Sequence, residues 1–197
     1  MDWVVFDMDD VLVSSRELLL NALNEHTGEQ LTIDQWHDFT LTNVYKNLNQ
    51  FELVDIFHKI KFIENGVLEA YAAETVKHIA DQGFNVGILT ARGWHQRGEE
   101  LTWDFVKKHQ MPVKKIHAIQ LGEKKEDVIL QQFPGKIHAY CDDNAKHVYG
   151  IRHLGINAIL QDRPWNRHAL DLPRIFHLQE FVEKHVPLIE QPVNLHL

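Results

Sequence analysis

Cysteine is nearly absent from this sequence, since Cys141 is the only one among 197 residues. A single cysteine excludes an internal disulfide, which is typical of proteins from a reducing compartment. Long apolar runs are also missing, because no stretch approaches the roughly 18 apolar residues of a membrane span. The chain opens directly on a strand pattern, without the basic and apolar regions of a signal peptide. These absences predict a cytoplasmic protein with no membrane partner.

Positive charge is also in short supply. The chain has 20 lysines and arginines against 28 aspartates and glutamates, a formal net charge of -8. An acidic surface repels nucleic-acid phosphates, so the charge disfavours nucleic acid as a partner. A small phosphorylated substrate remains compatible, since a bound metal ion can reverse the field around itself. The length suits one domain of ordinary size, and the sequence does not indicate an oligomeric state.

Short apolar runs alternate with helical patterns along most of the chain. The apolar runs are Trp3–Phe6, Asn85–Leu89, Ile116–Leu121, Ile137–Cys141 and Asn157–Leu160. The helical patterns between them are Glu69–Gln82, Glu99–His109, Glu126–Phe133 and Ala145–His153. Short strands rich in valine and isoleucine, separated by helices, are typical of βαβ units with both sheet faces covered. The pattern therefore predicts an α/β fold with a doubly wound parallel sheet.

The connection after the first strand is unusually long. About 55 residues separate that strand from the helix at Glu69, far more than a simple connection needs. Helical patterns over Ser14–Thr27 and Val44–Lys61, with Thr32 as a helix cap between them, fill this interval. We therefore expect a small helical cap, residues 14–68, inserted into an α/β core formed by residues 1–13 and 69–186. The core should close with a short strand or turn and a helix, and the tail 187–197 should be extended.

Polar residues follow four of these elements at points where ligands bind in open parallel sheets, beyond the carboxyl ends of the strands. These clusters are Asp7-Met8-Asp9, Thr90-Ala91-Arg92, Lys124-Lys125 and Asp142-Asp143. Closely spaced acids do not all stay ionised without a cation, and Mg²⁺ prefers carboxylates, waters and a substrate phosphate. We therefore expect a Mg²⁺ site built from Asp7, Asp9, Asp142 and Asp143. The alternative is that these acids only form turns or loop caps.

The same clusters supply the groups that phosphoryl transfer requires. Asp7 can attack phosphorus to form an aspartyl-phosphate, and Asp9 can protonate the leaving oxygen and then activate water. Thr90 and nearby backbone N–H groups can hold phosphate oxygens, while Lys124 or Lys125 neutralises charge. In isolation, a helix cap is the better interpretation of the threonine, and a solvated helix start is the better interpretation of either lysine.

Taken in order, these clusters resemble the motifs of the haloacid dehalogenase superfamily. Asp7-Met8-Asp9-Asp10-Val11 matches the first motif, DxDx(T/V), and Ile88-Leu89-Thr90 matches the apolar strand that ends in Thr or Ser. Lys124 or Lys125 matches the third motif, and Asp142-Asp143 matches the acidic fourth. The resemblance extends from Asp2 to about Arg167 and implies a Rossmann-like core.

The resemblance also implies roles for individual residues. Asp7 would be the nucleophile and a metal ligand, and Asp9 would be the acid/base and contribute its backbone carbonyl to the metal. Asp142 would bind the metal directly, and Asp143 directly or through water. Lys125 is preferred over Lys124, because Lys125-Glu126-Asp127-Val128 resembles a run in the phosphatase domain of polynucleotide kinases. Dehalogenases of the superfamily lack the second acid, so Asp9 favours a phosphatase.

Two groups within the superfamily resemble the chain further. The run Gln161–Arg167 and the cap after the first strand resemble the 5′(3′)-deoxyribonucleotidases. The runs Thr90–Gly93 and Leu101–Val106 resemble the 3′-phosphatase domain of polynucleotide kinase. The net charge favours the first group, with a (deoxy)nucleoside monophosphate or a similar small phosphate as the substrate. The alternatives are a 3′-phosphatase on nucleic-acid ends and a phosphate-binding module without catalysis.

We expect substrate contacts from residues in the cap and beside the second and third motifs. The candidates are Trp36, Tyr45, Lys46, Ala91, Arg92 and Lys124. An aromatic side chain can stack on a base, and the cationic ones can meet phosphate. The competing interpretations are that Trp36 packs inside the cap and that Arg92 caps a loop at the surface.

Overall fold

The structure, a computed structural model, describes residues 2–120 and 122–186. Leu121 and the predicted tail 187–197 lie outside the described residues. The strands are β1 (Asp2–Phe6), β2 (Val13–Ser14), β3 (Val67–Leu68), β4 (Asn85–Thr90), β5 (Val113–Ala118), β6 (Lys136–Asp142), β7 (Ala158–Gln161) and β8 (Arg174–Ile175). The α-helices are α1 (Arg16–Thr27), α2 (Leu41–Val44), α3 (Gln50–Lys59), α4 (Ala72–Asp81), α5 (Gly98–Lys108), α6 (Lys125–Gln132), α7 (Ala145–His153) and α8 (Leu178–His185).

Six of the strands form one sheet in the order β5-β4-β1-β6-β7-β8. All neighbouring pairs in this sheet are parallel. The central strand β1 is apolar on both sides: Val4 and Phe6 join one buried cluster, and Trp3 and Val5 join another. This continuous apolar pattern is what a strand covered on both faces requires.

Helices cover both faces of the sheet. Residues of α4, α5 and α8 pack with Val4 and Phe6, whereas residues of α6 and α7 pack with Val5. The predicted α/β class with a doubly wound parallel sheet is therefore confirmed. The short strand and closing helix expected near the end of the core are β8 and α8. No helix within residues 2–120 and 122–186 is long and apolar enough to cross a membrane.

The long connection after β1 forms a separate helical layer, which we call the cap. It leaves and returns through an antiparallel pair in which Val13 faces Leu68 and Ser14 faces Val67. Between these strands, α1, α2 and α3 enclose an apolar cluster that also takes in Trp165 from the core. The cap therefore has its own interior and a firm contact with the sheet domain.

One predicted element of the cap is wrong. The pattern over Val44–Lys61 predicts a continuous helix, but α2 ends at Val44 and α3 begins at Gln50. The break has a local cause, because the Asn49 side chain accepts hydrogen bonds from the N–H groups of Phe51 and Glu52. Glu52 in turn accepts from the N–H of Asn49, completing a capping box that starts a new helix. Thr32 similarly precedes only a single 3-10 turn, Ile33–Gln35.

Candidate active site

Three neighbouring strands end at the same edge of the sheet. Strand β1 lies between β4 and β6, so the residues after Phe6, Leu89 and Cys141 are brought together. The N–H of Asp7 donates to the carbonyl of Cys141 at 2.8 Å, which continues the β1–β6 pairing one step beyond the strand. The first, second and fourth sequence motifs therefore meet at this edge.

The chain turns sharply after Asp7. The N–H groups of Leu12 and Val13 both donate to the carbonyl of Met8, and Asp10 has a left-handed backbone with φ 59°. Met8, Val11 and Leu12 are fully buried under this turn. Burial of the apolar members leaves Asp7, Asp9 and Asp10 beside the cavity above the sheet. The turn thus fixes three acids at the sheet edge.

A buried lysine joins the strand ends. Lys125 is fully buried at the start of α6, and its Nζ lies 2.7 Å from Asp7 Oδ1 and 2.8 Å from Asp142 Oδ2. Lys124 precedes the helix and is exposed. Of the two lysines that the sequence left open, Lys125 is therefore the one placed among the acids. An uncompensated lysine would be costly to bury, so these two carboxylates account for its position.

Of these acids, Asp142 accepts hydrogen bonds from the largest number of protein groups. Its Oδ2 accepts hydrogen bonds from Lys125, from the hydroxyl of Tyr140 and from the His147 ring, and its Oδ1 accepts from the N–H of Asn144. Although burial opposes ionisation, Lys125 and His147 hold the pKa of Asp142 below its ordinary value. Asp142 is therefore a carboxylate at neutral pH.

Asp7 and Asp143 ionise less readily than Asp142, because their pKa values are raised. Burial raises the pKa of Asp7 to about 7 against the opposing effect of Lys125. Burial also raises the pKa of Asp143 well above its ordinary value, and the nearby Asp10, Asp142 and Asp7 add to the shift. The Trp165 indole donates to Asp143 Oδ2 at 2.8 Å. These shifts mark a site with more buried negative charge than Lys125 balances.

The same acids have the geometry of a metal site. Asp7, Asp142 and Asp143 each offer an oxygen, and these oxygens lie within 4.8 Å of one another. Hard oxygen donors, few in number and beside an open cavity, suit Mg²⁺, which keeps several waters. The excess negative charge of the cluster is what a divalent cation would neutralise. The predicted ligand set therefore fits Mg²⁺ for these three side chains.

The Asp9 side chain points to a different partner. Arg92 Nη2 lies 2.6 Å from Asp9 Oδ1, and Arg92 Nε lies 2.9 Å from Asp9 Oδ2. The guanidinium is buried beneath the carboxylate and also donates to Thr102 Oγ1. The structure thus places Arg92 behind Asp9. Arg92 was predicted to contact the substrate directly, but it does not line the cavity.

Thr90 ends β4 with its side chain fully buried. Its hydroxyl makes no hydrogen bond to any residue in the part of the chain that the structure describes. A buried hydroxyl without a protein partner is costly, and a phosphate oxygen or a water would satisfy it. Ala91, the next residue, lines the cavity as predicted.

A cavity of about 320 Å³ lies between this edge of the sheet and the cap. Its floor includes Asp7, Asp9, Asp143 and His147. Its walls are largely apolar and include Leu19, Phe39, Leu41, Leu53, Phe57 and Phe62 from the cap and Trp94 from the core. Phe57 stacks on Phe62 with centroids 4.7 Å apart and also contacts Trp94. The cap therefore places an aromatic surface above the acids.

The predicted cap contacts are not brought to this cavity. Trp36 and Tyr45 are fully buried in the cap interior, where the Trp36 indole donates to the Tyr45 hydroxyl at 3.3 Å. Lys46 and Lys124 are exposed, and neither lines the cavity. Burying the large apolar surfaces of Trp36 and Tyr45 inside the cap is more favourable than exposing them to solvent at the cavity wall.

Sequence reasoning missed several residues at the site. Asp10 and Arg16 form an ion pair of 2.5 Å that joins the β1 turn to α1, and the Arg16 guanidinium lies 4.4 Å from the Trp165 ring centroid. His147 lies on the first turn of α7 and contacts Asp142. The available signal was position, since His147 follows the Asn144 helix cap directly after the fourth motif.

Solved structures with a similar overall fold are known. The chain matches a hydrolase described as a haloacid dehalogenase-like family protein from Streptococcus pneumoniae with a TM-score of 0.69 and 18% identity, covering 92% of this chain and 96% of that one. This chain has the haloacid dehalogenase-like fold. A haloacid dehalogenase (HAD) phosphatase from Thermococcus onnurineus shares the fold with a TM-score of 0.56 and 16% identity over 93% of this chain and 97% of its own.

The haloacid dehalogenase-like fold agrees with the order of motifs in the sequence. No known protein-family profile matches the chain. Its sequence is 24% identical over 187 residues to the curated protein named "Putative nucleotidase" from Oceanobacillus iheyensis, covering 90% of this chain and 96% of that protein. The structural matches show the fold alone, and the chemistry is argued from the site itself.

Proposed function

We propose that this protein is a Mg²⁺-dependent phosphomonoester hydrolase that works through an aspartyl-phosphate on Asp7. The observation that carries the proposal is the position of Lys125 Nζ, 2.7 Å from Asp7 Oδ1 and 2.8 Å from Asp142 Oδ2, with Asp143 beside them. A nucleophilic carboxylate, a fixed cation and two further acids are what phosphoryl transfer asks of a protein site.

In the proposed mechanism, Asp7, Asp142, Asp143 and the backbone carbonyl of Asp9 would hold Mg²⁺. The ion, when bound, neutralises charge on the phosphate so that an anionic nucleophile can approach. Lys125 holds the Asp7 carboxylate in place and offsets negative charge at the same time. Asp7 then attacks phosphorus while the bond from phosphorus to the ester oxygen breaks.

Asp9 handles the protons of both half-reactions. It donates a proton to the departing ester oxygen, and then takes a proton from the water that attacks the aspartyl-phosphate. That attack releases inorganic phosphate, restores the Asp7 carboxylate and leaves Asp9 protonated for the next cycle. The buried Thr90 hydroxyl is free to donate to a phosphate oxygen, which would satisfy its unmet hydrogen bond.

A small nucleoside monophosphate is the substrate class that the cavity supports best. The aromatic wall of Phe57, Phe62 and Trp94 offers a surface on which a base can stack. Among the described residues that line the cavity, Arg16 is the one lysine or arginine, and Asp10 already pairs with it. A site with so little free positive charge suits one phosphate rather than a polyphosphate or a nucleic-acid backbone.

Phosphate release from a panel of phosphomonoesters tests the proposal. We expect turnover with Mg²⁺, none after chelation, and loss to the blank level in Asp7→Asn, because the amide cannot attack phosphorus. Asp104→Asn is the matched control, since Asp104 is exposed on α5 and lies outside the cavity. Turnover that survives both chelation and Asp7→Asn would contradict the proposal.

The same panel separates substrate classes. A nucleoside 5′-monophosphate should be hydrolysed faster than an oligonucleotide that carries a 3′-phosphate, because the cavity lies beneath the cap and has little free positive charge. Preference for the oligonucleotide would favour a phosphatase acting on nucleic-acid ends. Mg²⁺ binding without turnover of any ester would favour a phosphate-binding module without catalysis.

A further inference from the structure

Asp9 and Arg92 form a two-point ion pair, although 83 residues separate them in the chain. Two N–H groups of the guanidinium meet the two carboxylate oxygens at 2.6 Å and 2.9 Å. Such fork-to-carboxylate pairs fix orientation as well as distance, which a single contact does not. The pair therefore sets both the position and the rotation of the Asp9 carboxylate.

Arg92 is itself held from behind. Its Nη1 donates to Thr102 Oγ1 at 3.1 Å, and that hydroxyl donates to the carbonyl of Gly98 at 2.7 Å. The backbone around it is closely packed, since a Cβ at Gly98 would lie 2.1 Å from the Arg92 carbonyl oxygen. A Cβ at Gly93 would lie 2.2 Å from the carbonyl oxygen of Ile119. The arginine has little freedom to leave Asp9 for a ligand.

Exposure separates the two members of the pair. The Arg92 side chain is 1% exposed and does not line the cavity, whereas the Asp9 side chain is 23% exposed and does. A phosphate could reach the guanidinium only by displacing Asp9. The geometry therefore assigns Arg92 to Asp9 rather than to substrate.

We infer that Arg92 is a positioning residue that holds Asp9 for the proton transfers of the proposed hydrolysis, and the inference rests on that proposed function. A carboxylate has about four lone-pair sites on its two oxygens, and the fork occupies one on each. The others remain for a proton exchanged with the ester oxygen or with water. When Asp9 gives its proton to the leaving oxygen, the carboxylate that forms already faces the guanidinium charge.

Leaving groups of different basicity isolate this role. In the first half-reaction the Asp7–phosphorus bond forms, the bond from phosphorus to the ester oxygen breaks, and the Asp9 proton moves to that oxygen. An alkoxide needs this proton, whereas p-nitrophenolate is a weak base that leaves without one. The ratio of kcat/KM for the two kinds of ester reports this half-reaction and therefore the positioning of Asp9.

The test is Arg92→Lys, which keeps the charge but loses the fork. We expect kcat/KM for a nucleoside 5′-monophosphate to fall at least about tenfold more than kcat/KM for p-nitrophenyl phosphate, since general acid catalysis typically contributes 10²–10⁴-fold. Arg97→Lys is the matched control, because Arg97 is exposed and pairs with Glu100 on the next turn. Equal losses for the two esters would overturn the inference.

A second pair of variants, at Thr102, tests the positioning role of Arg92 if Arg92→Lys does not fold. Thr102→Val removes the hydroxyl behind Arg92 and should shift the ester ratio in the same direction, whereas Thr102→Ser should restore it. Absence of a shift in Thr102→Val would overturn the inference. A wild-type protein that hydrolyses neither ester would overturn the proposed function and this inference together, while an active protein without the ester bias overturns only the inference.

Discussion

At the scale of single residues, adjacent side chains have unequal positions. Lys124 and Lys125 have identical side chains. Because α6 begins at Lys125, only Lys125 is buried, and Lys124 stays exposed. The two acids of the Asp7-Met8-Asp9 motif likewise have different partners. Asp7 pairs with Lys125 and Asp9 pairs with Arg92, while Met8 between them is buried. The types of residue at the site were predictable from the motifs, but their pairing depends on which strand ends meet.

The raised pKa of Asp7 predicts a pH dependence of metal binding. Its ordinary value is 3.8 and burial raises it to about 7, so the metal-free folded protein binds this proton more tightly than the unfolded chain does. The stability that the proton contributes is complete below about pH 3.8 and is lost as the pH rises to about 7. Mg²⁺ requires the ionised carboxylate, so its binding should strengthen over the same range.

Thermal unfolding with and without Mg²⁺ at pH 6 and pH 8 measures this effect. Because one proton with a pKa of about 7 competes with the metal, the apparent Mg²⁺ affinity should be about tenfold weaker at pH 6 than at pH 8. The rise in Tm with Mg²⁺ should therefore be larger at pH 8, and Asp143 should add to the same trend. A rise in Tm that does not change between these pH values would contradict the assignment of Asp7 as a ligand.

At the scale of elements, α3 contributes Phe57 to the aromatic part of the cavity wall. The sequence pattern predicted helix through Tyr45–Asn49, and the Asn49–Glu52 capping box that interrupts it was the signal against this. The break lets α3 start at Gln50 and place Leu53 and Phe57 over the cavity. The location of the cap was predictable from its length and helical patterns, but the faces of its helices were not.

The position of Phe57 predicts a change in substrate affinity. In Phe57→Ala we expect KM for a nucleoside monophosphate to rise about tenfold, because base–aromatic stacking is typically worth about 1–3 kcal/mol. KM for glycerol phosphate, which has no ring, should change little. Phe51→Ala is the matched control, since Phe51 lies on the same helix and is 85% exposed. Equal rises for both substrates would indicate a general distortion of the cap.

At the scale of the whole molecule, the parallel sheet explains why four separated motifs form one site. Alternating strands and helices predicted the α/β class, and parallel strands necessarily bring their carboxyl ends to one edge. What the sequence could not predict was set by packing between layers. Trp36 lies inside the cap, which the sequence offered only as one of two interpretations, and Arg92 meets an acid 83 residues away through a contact that no local pattern encodes.

In the proposed mechanism, Asp7 carries the phosphoryl group during turnover, and chemical trapping tests this role most directly. Quenching the reaction during turnover and reducing with borohydride converts an aspartyl-phosphate to homoserine, which peptide mass spectrometry can locate. We expect homoserine at position 7, only when both substrate and Mg²⁺ are present, and none in Asp7→Asn. Steady turnover with unmodified Asp7 under conditions that trap the intermediate, or modification at another acid, would contradict the account.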